Sequence, residues 1–125
     1  MASNVLVVDD DDTIRGLVSH RLESAGYDVR ACENGREAAD ILDSEYDPGL
    51  VLLDVMMPRL DGTRLARMIR SGELAVSNDL PIVMLTSRGR EEHVLEGFDA
   101  GVDDYVTKPF RSAELLARVE KHINA

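Results

Sequence analysis

Apolar positions along the chain alternate between two patterns. Val5-Leu6-Val7-Val8 is a compact, mostly β-branched run followed by acids, the mark of a strand buried on both faces. From Thr13 the apolar positions become Ile14, Leu17, Val18, Leu22 and Ala25, which share one face of a helix. Asp12 or Thr13 can cap its start, and Gly26 stands where a left-handed residue ends a helix. Asp28 to Cys32 reads as a weak second strand, and Gly35 to about Ser44 as a helix with Ala38, Ile41 and Leu42 inward. Leu50-Val51-Leu52-Leu53-Asp54 is a second clear buried run, introduced by Asp47-Pro48-Gly49 and stopped soon after by Met57-Pro58.

The same alternation continues to the end. Thr63 to Ser71 is a short helix through Leu65, Met68 and Ile69, and Gly72 to Pro81 is a polar connection. Ile82-Val83-Met84-Leu85-Thr86 is a third buried run, and Arg90 to Ala100 a helix with Val94, Leu95 and Phe98 on one side. Tyr105-Val106-Thr107 is a brief strand before Lys108-Pro109, and Ser112 to Ile123 puts Leu115, Leu116, Val119 and Ile123 on one stripe. Non-alternating apolar strands separated by helices predict an α/β fold, a doubly wound (βα)5 parallel five-stranded sheet with helices on both faces. Each crossover is expected to be right-handed. No repeat or low-complexity tract is visible, so residues 1–125 read as one domain.

Composition narrows the partners. Twenty-four Asp and Glu against 14 Lys and Arg give a net charge of −10. That balance argues against direct nucleic-acid binding, which needs clustered basic residues, and against an anionic membrane surface. The single cysteine, Cys32, excludes an intramolecular disulfide and suits a reducing compartment. No apolar stretch approaches the roughly 20 residues of a membrane helix, and the four-residue run at Val5 lacks a basic flank, so a cytoplasmic protein is expected.

Ligands of open α/β sheets sit beyond the carboxyl ends of the strands. There the chain places Asp9, Asp10, Asp11 and Asp12 after the first strand, Asp54 at the third, Thr86 and Ser87 at the fourth, and Lys108 and Pro109 at the fifth. Taken singly, each has a bland reading: a solvated loop with a helix cap, a strand end, a surface charge. Together they bring like charges to one edge, where they raise one another's pKa or recruit a cation. Oxygen ligands of this kind suit Mg²⁺. A carboxylate at a strand end can also attack phosphorus, with a lysine and a hydroxyl to receive the phosphoryl charge.

At this point the residues resemble a known family. Val7-Val8-Asp9-Asp10, Leu52-Leu53-Asp54-Val55-Met56-Met57-Pro58, Asp61-Gly62, Met84-Leu85-Thr86-Ser87 and Gly101-Val102-Asp103-Asp104-Tyr105-Val106-Thr107-Lys108-Pro109-Phe110 are similar to the receiver domain of bacterial two-component response regulators, over essentially the whole chain. The resemblance implies a flavodoxin-like sheet of order 2-1-3-4-5. It implies that Asp54 accepts a phosphoryl group from a histidine kinase or phosphotransfer protein. Asp10 would ligate Mg²⁺ directly, Asp9 mostly through water, and the Met56 carbonyl would complete the protein's share. Lys108 would pair with Asp54 and then with the phosphoryl group. Thr86 would bond that group, Tyr105 would swing inward as Thr86 moves, and Pro109 would follow a cis bond. Asp11 and Asp12 match no ligand position and read as helix-start charges. Met56 and Arg88 would flank the pocket.

The family's switching face is its fourth helix, fifth strand and fifth helix, here about Arg90 to Ile123, with Val94, Tyr105 and Arg118 on it. Asp103-Asp104-Tyr105 and Glu114 to Val119 look like receivers of winged-helix transcription factors, yet Val94 and Glu120 stand where those carry basic residues. Val94 then packs in the core or forms an apolar partner contact. The chain would be a single-domain regulator acting on a downstream effector protein, or the receiver of a longer regulator with a fused output domain. It would be no enzyme beyond its own phosphotransfer and autodephosphorylation. A phosphohydrolase would need a second acid at position 56, which is Met. A nucleotide- or flavin-binding module would want a glycine-rich phosphate loop, and none is present. A pseudo-receiver would lack site residues that are all here.

Overall fold

The computed structural model describes residues 4–57, 59–87, 96 and 98–123. Five strands, β1 (Asn4–Val8), β2 (Asp28–Cys32), β3 (Leu50–Asp54), β4 (Ile82–Ser87) and β5 (Asp104–Lys108), form one sheet in the order β2-β1-β3-β4-β5. All four pairings are parallel. Helices α1 (Asp12–Ser24), α2 (Gly35–Leu42), α3 (Gly62–Ser71) and a C-terminal helix (Ser112–Ile123) connect and cover it. The doubly wound parallel sheet predicted from the alternation is the fold observed. Of the expected fourth helix only Glu96, Phe98 and Asp99 are described as helical; Arg88 and Val94, like Pro58, lie outside the described residues.

Strand side chains alternate between two cores, as the pleat requires. Leu6, Val8, Val51, Leu53, Ile82 and Met84 meet α2 and α3 on one face. Val5, Val7, Leu50, Leu52, Val83 and Leu85 meet α1 and the C-terminal helix on the other. Each fully buried Leu, Ile, Met or Val contributes about 1.5–3 kcal/mol. The central strands β1, β3 and β4 are apolar on both faces, which is why their sequences do not alternate.

Helix starts follow capping chemistry, with one correction. Asp11, not Asp12 or Thr13, caps α1: its side chain accepts from the backbone N–H groups of Thr13 and Ile14. Asp12 takes the first turn instead and pairs with Arg15. Asn34 caps α2 and Asp61 caps α3. Gly26 has φ +97°, the left-handed geometry expected past the end of α1.

Candidate functional site

Sheet register assembles the site. Val8 lies opposite Leu53, so Asp9 follows beside Asp54. Asp54 in turn lies opposite Leu85, so Thr86 is one step beyond it. Thr86 pairs with Thr107 and Ser87 with Lys108. The carboxyl ends of four separate strands thus meet at one edge.

Carboxylate oxygens of Asp9, Asp10 and Asp54 all lie within 4.8 Å of one another. Asp9 is fully buried, Asp54 is 8% exposed and Asp10 is open to solvent. The buried Asp9 is tightly held. Its Oδ1 accepts from the Asp11 N–H at 3.0 Å, its Oδ2 from Lys108 Nζ at 2.9 Å, and its backbone carbonyl from Arg15 at 2.8 Å. Lys108 Nζ stands 3.5 Å from Asp54 Oδ2. The lysine therefore bridges the two carboxylates, and its shorter contact is to Asp9, not to the Asp54 partner expected from the sequence. Asp9 wins because it is the more deeply buried charge and most needs a counter-ion.

Burial, and then repulsion from Asp9, push the Asp54 carboxyl up to about 7, against the pull of Lys108 and of the Met56 N–H. Burial alone would lower the Lys108 ammonium, but the bond to Asp9 and the charge of Asp54 outweigh it and raise the group above its ordinary value. A further cationic charge at this edge would relieve both effects. The donor set, three carboxylates converging from two segments, fits a hard divalent cation.

Thr86 is buried, and its hydroxyl has no hydrogen-bond partner among the described residues. A buried hydroxyl without a partner is uncommon and calls for an explanation. Tyr105, one pleat away on β5, is half-buried and packs edge-on against Phe98 at 5.0 Å between ring centres. The Lys108–Pro109 peptide is cis. Met56 presents its side chain to solvent at 57% exposure. On the far side of β5, Arg118 and His122 both bond Asp104, at 3.1 and 2.9 Å.

Some supporting residues carry no signal of their own in the sequence. Arg15 reads as a helix surface charge, yet it fixes the Asp9 backbone. Asp61-Gly62 reads only as a motif. Its physical reason is that a Cβ on Gly62 would fall 2.3 Å from the Asp54 carbonyl oxygen, while the Gly62 N–H bonds the Val55 carbonyl at 2.9 Å. The loop after Asp54 can close only over glycine.

Residues 5–120 match the family model of the response regulator receiver domain. The chain belongs to that family. This receiver is a phosphorelay signalling module of two-component systems. It is 43% identical over 120 residues to the phosphate regulon transcriptional regulatory protein PhoB of Pseudomonas aeruginosa, covering 96% of this chain and 51% of that protein. The receiver spans about half the length of the curated relatives it matches. Among solved structures, a protein of Chloroflexus aurantiacus assigned as a response regulator superposes with TM-score 0.92 at 35% identity, with 100% of both chains covered. The receiver domain of the sensor histidine kinase PA1611 from Pseudomonas aeruginosa, described with a magnesium ion coordinated in the active site cleft, gives TM-score 0.89 at 27% identity, again over 100% of both chains. No helix among the described residues is long and apolar enough to cross a membrane.

Proposed function

We propose that Asp54 is the phosphoacceptor of this receiver and that a sensor histidine kinase or phosphotransfer protein is its donor. The observation that carries this is the convergence of the Asp9, Asp10 and Asp54 oxygens within 4.8 Å under one bridging lysine. Asp9, Asp10, Asp54 and the backbone carbonyl of Met56 are the groups that would hold Mg²⁺. Bound there, Mg²⁺ would offset the crowded carboxylate charge and stabilise charge on phosphoryl oxygens.

The chain's own residues do the rest. A carboxylate oxygen of Asp54 attacks the phosphorus of a phosphohistidine. The new P–O bond forms as the P–N bond breaks, and the imidazole nitrogen keeps the electron pair. Lys108, already 3.5 Å from Asp54, meets the charge of the incoming group. The unpartnered Thr86 hydroxyl donates to a phosphoryl oxygen, and Tyr105 follows Thr86 inward. Water later attacks the phosphorus and Asp54 leaves as carboxylate, so the module turns over only its own phosphoryl group.

Phosphorylation then biases a two-state equilibrium read on the face of the fourth helix, β5 and the C-terminal helix. Tyr105 and Arg118 lie on that face. The reader is a downstream effector protein or a fused output domain, the latter favoured by relatives about twice this length. Residues 1–125 act as one receiver unit in the cytoplasm. The test is to treat the protein with acetyl phosphate and Mg²⁺ and reduce it with borohydride, which turns an aspartyl phosphate into homoserine. Peptide mass spectrometry is expected to find homoserine at position 54; homoserine at another acid, or none, overturns the assignment.

A further inference from the structure

We propose that the face formed by α2, α3 and the loop between β3 and α3 is a docking surface for an acidic polypeptide segment of a partner protein. A cavity of about 440 Å³ on this face is lined by Arg36 of α2, Arg59 of the loop, and Arg64 and Arg67 of α3, with Met68 half-buried among them. One carboxylate, Glu73, lines it too, so four guanidiniums stand against one acid, a local +3. The whole chain carries −10. None of the four arginines has a carboxylate within ion-pair distance among the described residues, whereas Arg15, Arg70 and Arg118 each do.

Unpaired arginines from three segments around one concavity present planar forks suited to carboxylates. Arg59 reinforces the point. It holds φ +72°, a left-handed backbone that non-glycine residues seldom adopt, which fixes the direction in which the loop presents this side chain. The net charge of the chain is negative, so a cluster of basic residues is where an acidic partner would be attracted.

Shape favours a polypeptide over a small anion. Arg64 and Arg67 also line an adjoining cavity of about 320 Å³, so the two form a groove along α3. The second cavity carries Asp61 and Glu96. Acidic side chains of a bound segment therefore face the first cavity, and its uncharged continuation lies in the second. Arginine with an apolar floor such as Met68 is also the composition enriched at protein interfaces. The inference does not depend on the aspartate site.

A fluorescein-labelled octaglutamate peptide tests it by anisotropy at low salt. Saturable binding is expected, weakened about tenfold or more by R64E/R67E and by physiological salt. The control R21E/R111E, which makes the same charge change on α1 and ahead of the C-terminal helix, is expected to bind as wild type. Circular dichroism checks that both variants fold. Equal weakening by both variants would mean an effect of net charge alone and would overturn the proposal. Absence of saturable binding, or displacement of the peptide by stoichiometric pyrophosphate, would overturn it as well, the latter by revealing a small-anion site.

Discussion

Lys108 shows how a single residue serves two roles. As the counter-ion of a fully buried Asp9 it is structural, and as the neighbour of Asp54 it stands at the phosphoryl position. Lys108→Ala strands the Asp9 charge, which is expected to cost about 3–5 kcal/mol in urea unfolding without divalent cations. The variant is also expected to accept phosphoryl from acetyl phosphate yet fail to change the Tyr105 ring environment in NMR spectra; a normal phosphorylation-dependent shift would remove Lys108 from the coupling. Asp104 is a second residue whose environment sets its charge. Burial alone would raise it, but His122, the Tyr105 N–H and Arg118 together hold it below its ordinary 3.8. A depressed carboxylate stabilises the fold above its unfolded pKa and loses that contribution as pH falls through the folded value. Wild type should therefore exceed Asp104→Asn by roughly 1–2 kcal/mol at pH 7, with the gap closing below pH 3.8 in thermal melts.

At the scale of elements, α3 is tied to the strands it precedes by one side chain. Arg70 donates to the carbonyls of Gly101, Asn78 and Leu80 at 2.7–2.8 Å and to Asp103 at 2.9 Å, and Asp103 accepts from the Ile82 N–H. Arg70 thus sets the entry of both β4 and β5. Arg70→Ala is expected to cost roughly 2–4 kcal/mol in chemical denaturation, and Arg70→Lys nearly as much, since a point charge cannot span that fork. If Arg70→Lys unfolded like wild type, the bonding geometry would not matter. None of this was legible beforehand. Arg70 reads as one polar position on a helix, and Gly72 to Pro81 as a polar connection, although Val76 and Leu80 are buried in it. Isolated apolar residues in a polar loop have no period to betray their burial. By contrast β3 and the C-terminal helix have the bounds their patterns predict, because an unbroken apolar run and a regular stripe each fit one element only. The start of α1 moved because four consecutive aspartates offer several capping oxygens, and only backbone geometry selects Asp11.

For the molecule as a whole, the parallel sheet turns a linear pattern into a site. The acids after β1 and at β3 are 45 residues apart in sequence, and the register of one strand pair makes them neighbours. That convergence could be read from the strand-end positions alone; which acid takes the lysine could not, since it depends on burial. Crowded carboxylates should make stability depend on a divalent cation. Mg²⁺ at ten times its Kd would add about 1.4 kcal/mol, roughly 3–6 °C in melting temperature for a chain of this size, and Asp9→Asn should lose most of that gain in the same calorimetric comparison. The central claim concerns Asp54. Acid-labile labelling by acetyl phosphate with Mg²⁺ should be robust in wild type and absent in Asp54→Asn, whose circular dichroism stays native; undiminished labelling of that variant would contradict the account.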